Sequence, residues 1–277
     1  METTVHDDVD RFLAEAGPLL YADEARHNLA LGIASVLRDA PELYPERRFW
    51  SVWEGGAVVA AALRTPPQNL VLARPRDAAA LAALVDAIDD EPPGVVAALP
   101  EAQDFADRWS TMRSRPIELT RRQGIYALER VQPVAIPSGS ARLGGAADRE
   151  LLVDWWIAFI HEALPHLPAN EEGARRGVDH RLTSSEAGVL AWEDGGEIVS
   201  IAGWGGPTPN GMRVGPVYTP PELRGRGYAT ALVADLSQRL LDGGRRFCFL
   251  YTDLSNLTAN AIYVRIGYEQ VCEAAEV

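Results

Sequence analysis

Short apolar stretches, broken by glycine and proline, divide the chain into strands and helices. Phe49-Trp-Ser-Val-Trp-Glu-Gly-Gly-Ala-Val-Val-Ala-Ala-Ala62 and Val189-Leu-Ala-Trp-Glu-Asp-Gly-Gly-Glu-Ile-Val-Ser-Ile-Ala202 follow one scheme of strand, Trp-Glu, Gly-Gly turn and strand. Each predicts a β-hairpin. After the first hairpin the pattern predicts a strand over Asn69 to Ala73, a helix over Asp77 to Ile88, a strand over Gly94 to Leu99 and a helix over Gln103 to Met112. Ile117–Thr120 and Ile125–Arg130 read as closing strands. The second half opens with helices over Asp148 to Ala163 and Asn170 to Leu182. Its hairpin is followed by a strand over Met212 to Thr219, a helix over 228–241, a strand over 247–252 and a helix over 258–266. The tail after that helix is about ten residues, short for closing strands.

Both halves therefore share one order: strand, corner, helix, strand, helix. That is a mixed α+β fold with a crossover helix, present twice in tandem. The stretch Val131-Gln-Pro-Val-Ala-Ile-Pro-Ser-Gly-Ser140 has the composition of a linker. The expected division is a first domain over 1–132, a linker over 133–140 and a second domain over 141–277. With so little chain after Gly267, strand Ile125–Val131 or the linker is a candidate to complete the second sheet.

Composition narrows the function. The 277 residues are 47% hydrophobic, enough for two cores, and carry a formal charge of −13. That charge and a pI near 4.9 argue against nucleic-acid binding. There is no lysine, which removes P-loop and Schiff-base chemistry. Cys248 and Cys272 read as free buried thiols. The polar, acidic N-terminus is unlike a signal peptide, and no apolar run is long enough to span a bilayer. The expectation is a cytoplasmic protein, monomer or homodimer.

One segment departs from the acidic average. Between Arg213 and Arg246 there are six arginines and three acids. Within it, Tyr218-Thr-Pro-Pro-Glu-Leu-Arg-Gly-Arg-Gly-Tyr-Ala-Thr230 joins a strand to a helix through Gly225 and Gly227. Glycines let backbone N–H groups approach a ligand, and the helix N-terminus adds unpaired donors and a positive dipole end. This predicts a phosphate site. The matching place in the first half, Leu70-Val-Leu-Ala-Arg-Pro-Arg-Asp77, has no glycine and a proline at 75, which predicts no phosphate site there.

Arg224-Gly-Arg-Gly227-Tyr-Ala229 fits the Arg/Gln-x-x-Gly-x-Gly/Ala cofactor motif of the GNAT N-acetyltransferases. Asn260-Ala-Ile-Tyr263-Val-Arg-Ile-Gly267-Tyr268 fits that family's later helix. The sequence thus resembles a tandem GNAT protein with a degenerate first copy. The resemblance implies acetyl-CoA as cosubstrate and N-acetyl transfer to a primary amine of a small molecule or a peptide amino terminus. It implies that the amides of Gly225, Arg226, Gly227, Tyr228, Ala229 and Thr230, with Arg224, hold the pyrophosphate. Val217, Tyr218 and Thr219 would pair with the pantetheine amides. Asn256 and Asn260 would also contact the cofactor, and Tyr263 would be the general acid.

The strand Met212–Tyr218 lacks the acid that many family members use as general base. Glu193, Asp253, a histidine of the first helices or a water chain remain candidates. His161-Glu-Ala-Leu-Pro-His166 has one residue too many for a zinc-protease motif and a proline inside it, so no metal is expected. Two other functions fit parts of the sequence. One is an acyl-CoA sensor without turnover. The other is a nucleotide-dependent oxidoreductase, since Gly225-x-Gly227-x-x-Thr230 followed by Asp253 approaches a dinucleotide fingerprint. Acids on the two helices, Asp154, Glu162, Glu171, Glu172 and Asp179, with Trp155, Trp156 and Trp204, suggest a cationic acceptor.

Overall fold

A computed structural model describes residues 1–114, 118–163 and 170–277. The first half runs β1 (Glu2–His6), α1 (Val9–Tyr21), α2 (Asn28–Asp39), β2 (Arg48–Glu54), β3 (Ala57–Arg64), β4 (Leu70–Leu72), α3 (Ala78–Ala87), β5 (Val95–Ala98) and α4 (Glu101–Arg113). It continues into β6 (Arg121–Leu128) and β7 (Ser140–Leu143). The second half runs α5 (Arg149–Ala163), α6 (Glu171–Thr183), β8 (Gly188–Asp194), β9 (Glu197–Gly205), β10 (Gly211–Tyr218), α7 (Tyr228–Asp242), β11 (Phe247–Asp253), α8 (Leu257–Ile266) and β12 (Glu269–Glu276).

Both predicted hairpins form, β2–β3 and β8–β9. Their Gly55-Gly56 and Gly195-Gly196 turns take positive φ at both positions, a conformation glycine adopts at no steric cost. The chain folds as two compact units. In the first, strands lie in the order β1-β2-β3-β4-β5-β12. Its α1/α2 face buries Phe12, Leu20, Leu31, Phe49 and Leu63; its α3/α4 face buries Trp50, Leu70, Leu84 and Phe105. In the second, the order is β6-β11-β10-β9-β8-β7. There α5 and α6 cover Val189, Ala191 and Ile201, while α7 and α8 cover Leu190, Val214 and Leu250. Each unit is a mixed sheet with a helix pair on each face, the tandem α+β arrangement the sequence predicts.

The units exchange strands. Residues 270–277 belong to the first unit, where Ala274, Ala275 and Glu276 pair with Ala98, Ala97 and Val96. Tyr126–Leu128, the end of β6, belongs to the second. The short tail after Gly267 is thereby explained: it is a strand of the first unit, and β6 takes the vacant place beside β11.

Some expectations change. Residues 118–120 are not a strand, Ile117 lies outside the described residues, and β6 is one strand where two short ones were expected. Residues 133–139 carry no regular element but are held by the second unit. Trp192 Nε1 donates to the Ser138 carbonyl at 2.9 Å, and Ser138 Oγ to Asp194 at 2.8 Å. The N-terminal β1, α1 and α2 have no counterpart in the sequence reading. Cys248 is buried, its thiol pushed up to about 12 by burial, and Cys272 is half-buried; both are free. Among the described residues no helix is long and apolar enough to cross a membrane.

Candidate functional site

The site grows from the way β10 leaves the sheet. β10 runs parallel to β11, with register only from Gly211 to Arg213 against Phe247 to Phe249. A bulge between Val214 and Val217 then bends β10, and Val217 and Tyr218 continue against β9. The side of Val217–Thr219 facing away from β9 is thus released from the ladder. Val217 packs toward the α7 core and Tyr218 toward the α5/α6 core.

A turn at Pro221–Leu223 leads to Gly225 (φ 77°) and Gly227 (φ 88°). Gly227 is the N-cap of α7 and carries no capping side chain. Its carbonyl accepts from the Ala231 amide at 3.0 Å. Among the described residues, no hydrogen bond uses the amides of Gly225, Arg226, Gly227, Tyr228, Ala229 or Thr230. A Cβ added at Gly225 or Gly227 would meet no atom within 4 Å, so the loop is unobstructed on that side at these two positions. Six donors at the positive end of a 15-residue helix form an anion cradle without an internal anion.

The side chains are arranged differently from the sequence expectation. Arg224 reaches back: Nε donates to the Thr219 carbonyl at 2.8 Å and Nη2 to Glu162 at 2.6 Å. Arg226 Nη2 donates to the Glu222 carbonyl at 3.1 Å. Both arginines brace the loop. The Tyr228 ring is buried and its hydroxyl donates to Asp194 at 2.6 Å, so Tyr228 offers the cradle only its backbone. Thr219 Oγ1 lies 2.8 Å from Ser200 Oγ. Asn256 Oδ1 accepts from the Ala259 amide at 3.0 Å, which makes it the N-cap of α8. Asn260 and Tyr263 stand one turn apart on α8, on the same face. The half-buried Tyr263 ring meets Tyr268 edge-on, centroids 5.9 Å apart, and burial pushes its hydroxyl up to about 12.

Glu162, near the end of α5, is the residue whose position sequence reasoning missed. It joins Arg224 to the Tyr218 hydroxyl, which donates to it at 3.3 Å. Burial, then the Glu162 charge, raises the Tyr218 pKa. No local motif signals this, since 56 residues separate Glu162 from Tyr218. The candidate bases are otherwise engaged. Glu193 accepts from Arg142 at 2.7 Å, and Asp253 accepts from the Ser255 amide and hydroxyl. His161 is exposed on α5, and His166 lies outside the described residues. Among the described residues no three His, Cys, Asp or Glu side chains cluster to hold a metal.

The corresponding loop of the first unit is closed. The Ala73 amide donates to the Ala61 carbonyl, the Arg74 amide to buried His27 Nε2 at 3.0 Å, and the Arg76 amide to the Val59 carbonyl. Pro75 has no amide hydrogen. The Asp77 carboxylate caps α3, accepting from the Ala80 amide at 2.8 Å.

In the second unit, a strand bent by a bulge thus runs into a glycine loop and a helix N-terminus whose amides have no partner among the described residues. Residues 150–268 match the model of the acetyltransferase (GNAT) family. Solved structures extend the likeness of fold to the whole chain. A tandem GNAT protein from the clavulanic acid biosynthesis pathway is 15% identical, with a TM-score of 0.57, covering 99% of this chain and 97% of that one. A GCN5-related N-acetyltransferase from Sphaerobacter thermophilus is 20% identical, with a TM-score of 0.62 and coverage of 99% and 94%. A GNAT-family acetyltransferase from Colwellia psychrerythraea is 10% identical, with a TM-score of 0.60 and coverage of 100% and 98%. No curated protein sequence matches the chain.

Proposed function

We propose that the second unit binds acetyl-CoA and that the protein transfers the acetyl group to a primary amine of a small molecule or a peptide amino terminus. The observation that carries this is the set of unclaimed amides from Gly225 to Thr230, beside the released edge of β10. The amides would hold phosphate oxygens, and the edge at Val217–Thr219 would pair with the pantetheine amides as a strand does. Asn260 would bond the same arm. When bound, acetyl-CoA supplies an acyl thioester that a neutral amine attacks, with CoA leaving as a thiol or thiolate.

Tyr263 has a proton to offer at every physiological pH, because burial holds its hydroxyl near 12. A thiol has a pKa of roughly 8.5, well below that of the Tyr263 hydroxyl, so Tyr263 holds its proton more tightly than a leaving thiolate would. The fitting role for Tyr263 is therefore a neutral hydrogen-bond donor to the developing charge on sulfur. An amine's own proton then completes the thiol. This differs from a general acid that gives its proton away, and it needs no change of charge at Tyr263.

Calorimetry with acetyl-CoA should give one site per chain, and a primary-amine panel should release CoA thiol. Two sites per chain, or none, would remove this reading. Binding without thiol release by any amine would favour the acyl-CoA sensor. A thermal shift with NAD and none with CoA would favour the oxidoreductase; a ligand at 100 times its Kd stabilises by about 2.7 kcal/mol, well above detection.

A further inference from the structure

We propose that Glu162, with the rings of Tyr218 and Trp155, receives a second, fixed positive charge on the acceptor, and that Arg224 occupies this place in the acceptor's absence. The proposal rests on the acetyltransferase reading above and names the substrate class of that site: an alkyl diamine or guanidino-amine.

Arg224 shows how a cation is held there. Its Nη2 lies 2.6 Å from Glu162 Oε2, and its Cζ lies 5.8 Å from the centre of the Tyr218 ring. The Tyr218 hydroxyl fixes the other carboxylate oxygen at 3.3 Å. Trp155 lies two helical turns before Glu162 on α5, its ring 5.8 Å from that of Tyr218 and tilted by 60°. Carboxylate, ring face and oriented hydroxyl are the groups that recognise an ammonium or guanidinium. Neighbouring Trp156 is already covered by the Arg181 guanidinium, 4.3 Å from its ring.

The other ion-paired acids of α5 and α6 find partners on those same helices. Glu150 pairs with Arg149 and Arg175, Asp179 with Arg149, Glu171 with Arg175 and Glu172 with Arg176. Glu162 instead pairs with the glycine loop. Its bond to Arg224 is half-exposed on both sides, 45% and 47%, so solvent screens it and a competing charge can displace it. Arg224 also borders the amide cradle, where a phosphate group would compete for its guanidinium. An anion there draws Arg224 from Glu162 and leaves the carboxylate for the acceptor. Each ligand thereby favours the other, a reciprocal coupling through one arginine.

The test compares butane-1,4-diamine with butylamine on the full chain and on Glu162→Gln, with acetyl-CoA affinity measured in both proteins. The expected result is a KM for the diamine raised about tenfold or more, with kcat and the butylamine KM within about twofold. The Kd for acetyl-CoA should be unchanged or lower, because Arg224 is released. Equal KM changes for both amines, or none for either, overturn the proposal. Calorimetric titration of the diamine into protein saturated with CoA, whose phosphates draw Arg224 away, decides the matter without turnover. Binding weakened about tenfold by Glu162→Gln supports the proposal, and equal or absent binding in both proteins overturns it. Failure of the wild-type chain to bind acetyl-CoA is a separate result and sinks only the acetyltransferase reading.

Discussion

The loops that follow β4 and β10 sit at the same point of the same fold, each between a strand and a crossover helix, and they treat a helix N-terminus in opposite ways. After β4, Asp77 supplies the anion from within the chain, and its carboxyl is held below the usual range by the amide of Ala80 and by Arg76. Every loop amide with a hydrogen between Ala73 and Arg76 already has an acceptor. After β10, Gly227 caps α7 with no side chain, and the amides of residues 225–230 have no hydrogen-bond partner among the described residues. A helix end needs a partner for its N–H groups. A chain that provides its own gains a stable cap, and one that withholds it leaves donors that suit the external phosphate proposed above. The two copies differ at the N-cap residue, at the two glycines, and in the His27 ring and Pro75 that close the first loop.

The largest expected effect breaks the open loop. Gly227→Val forces a side chain onto a residue at φ 88° and into the space before the amides, and should weaken acetyl-CoA binding more than ~100-fold by calorimetry. Arg74→Ala in the closed loop should leave that affinity within about twofold, since its amide is used internally. A comparable loss in both variants would mean that the two loops are not distinct in function.

Next in size, Tyr263→Phe should slow single-turnover acetyl transfer roughly 100-fold with the Kd for acetyl-CoA unchanged. A first-turnover rate equal to wild type would leave the Tyr263 ring a packing element against Tyr268.

His27 tests what closes the first loop. The ring is buried; Nδ1 lies 3.0 Å from the Leu20 carbonyl, and Nε2 accepts from Arg74. Those partners require the neutral ring with its proton on Nδ1. His27→Phe leaves an amide and a carbonyl unpaired and should cost about 2–3 kcal/mol in denaturant unfolding. Burial lowers the pKa of His27 from 6.5, against opposing effects of nearby Asp23 and Glu101 and with that of Arg26. The unfolded chain therefore takes up the proton first. The His27 contribution is complete above about pH 6.5 and shrinks as pH falls toward the folded-state value. The wild type should show this slope and His27→Phe should lack it. Parallel pH profiles would show that His27 does not titrate between the two states.

The smallest effect concerns α6. Glu171→Gln with Glu172→Gln breaks only exposed, one-turn pairs with Arg175 and Arg176. kcat/KM for a cationic amine should stay within about twofold at low salt. A larger fall would mean that the general acidity of these helices, and not Glu162 in particular, gathers the acceptor.

Local patterns were legible wherever the physics is local. The Gly-Gly hairpins, the strand before the loop, α7, and the Asn260/Tyr263 spacing on α8 depend on neighbours within a few residues. Asn256 was legible as part of the tail motif, and its side-chain oxygen caps α8 through the Ala259 amide. Arg224 was read as a phosphate ligand because charge beside glycine suggests it, while its partner Glu162 lies 62 residues away.

By itself the sequence determined that the fold occurs twice, that only the second copy carries the glycine loop before its crossover helix, and that no lysine chemistry is available. These follow from residue identity and short-range geometry. Tertiary structure alone decided the rest. It moved β12 into the first unit, because Ala275 and Val277 are buried in that unit's core. It set His27 under the closed loop and Glu162 against Tyr218 and Arg224. Each of these pairs residues far apart in the chain, and such contacts arise from which faces are buried together, a quantity no local window of sequence contains.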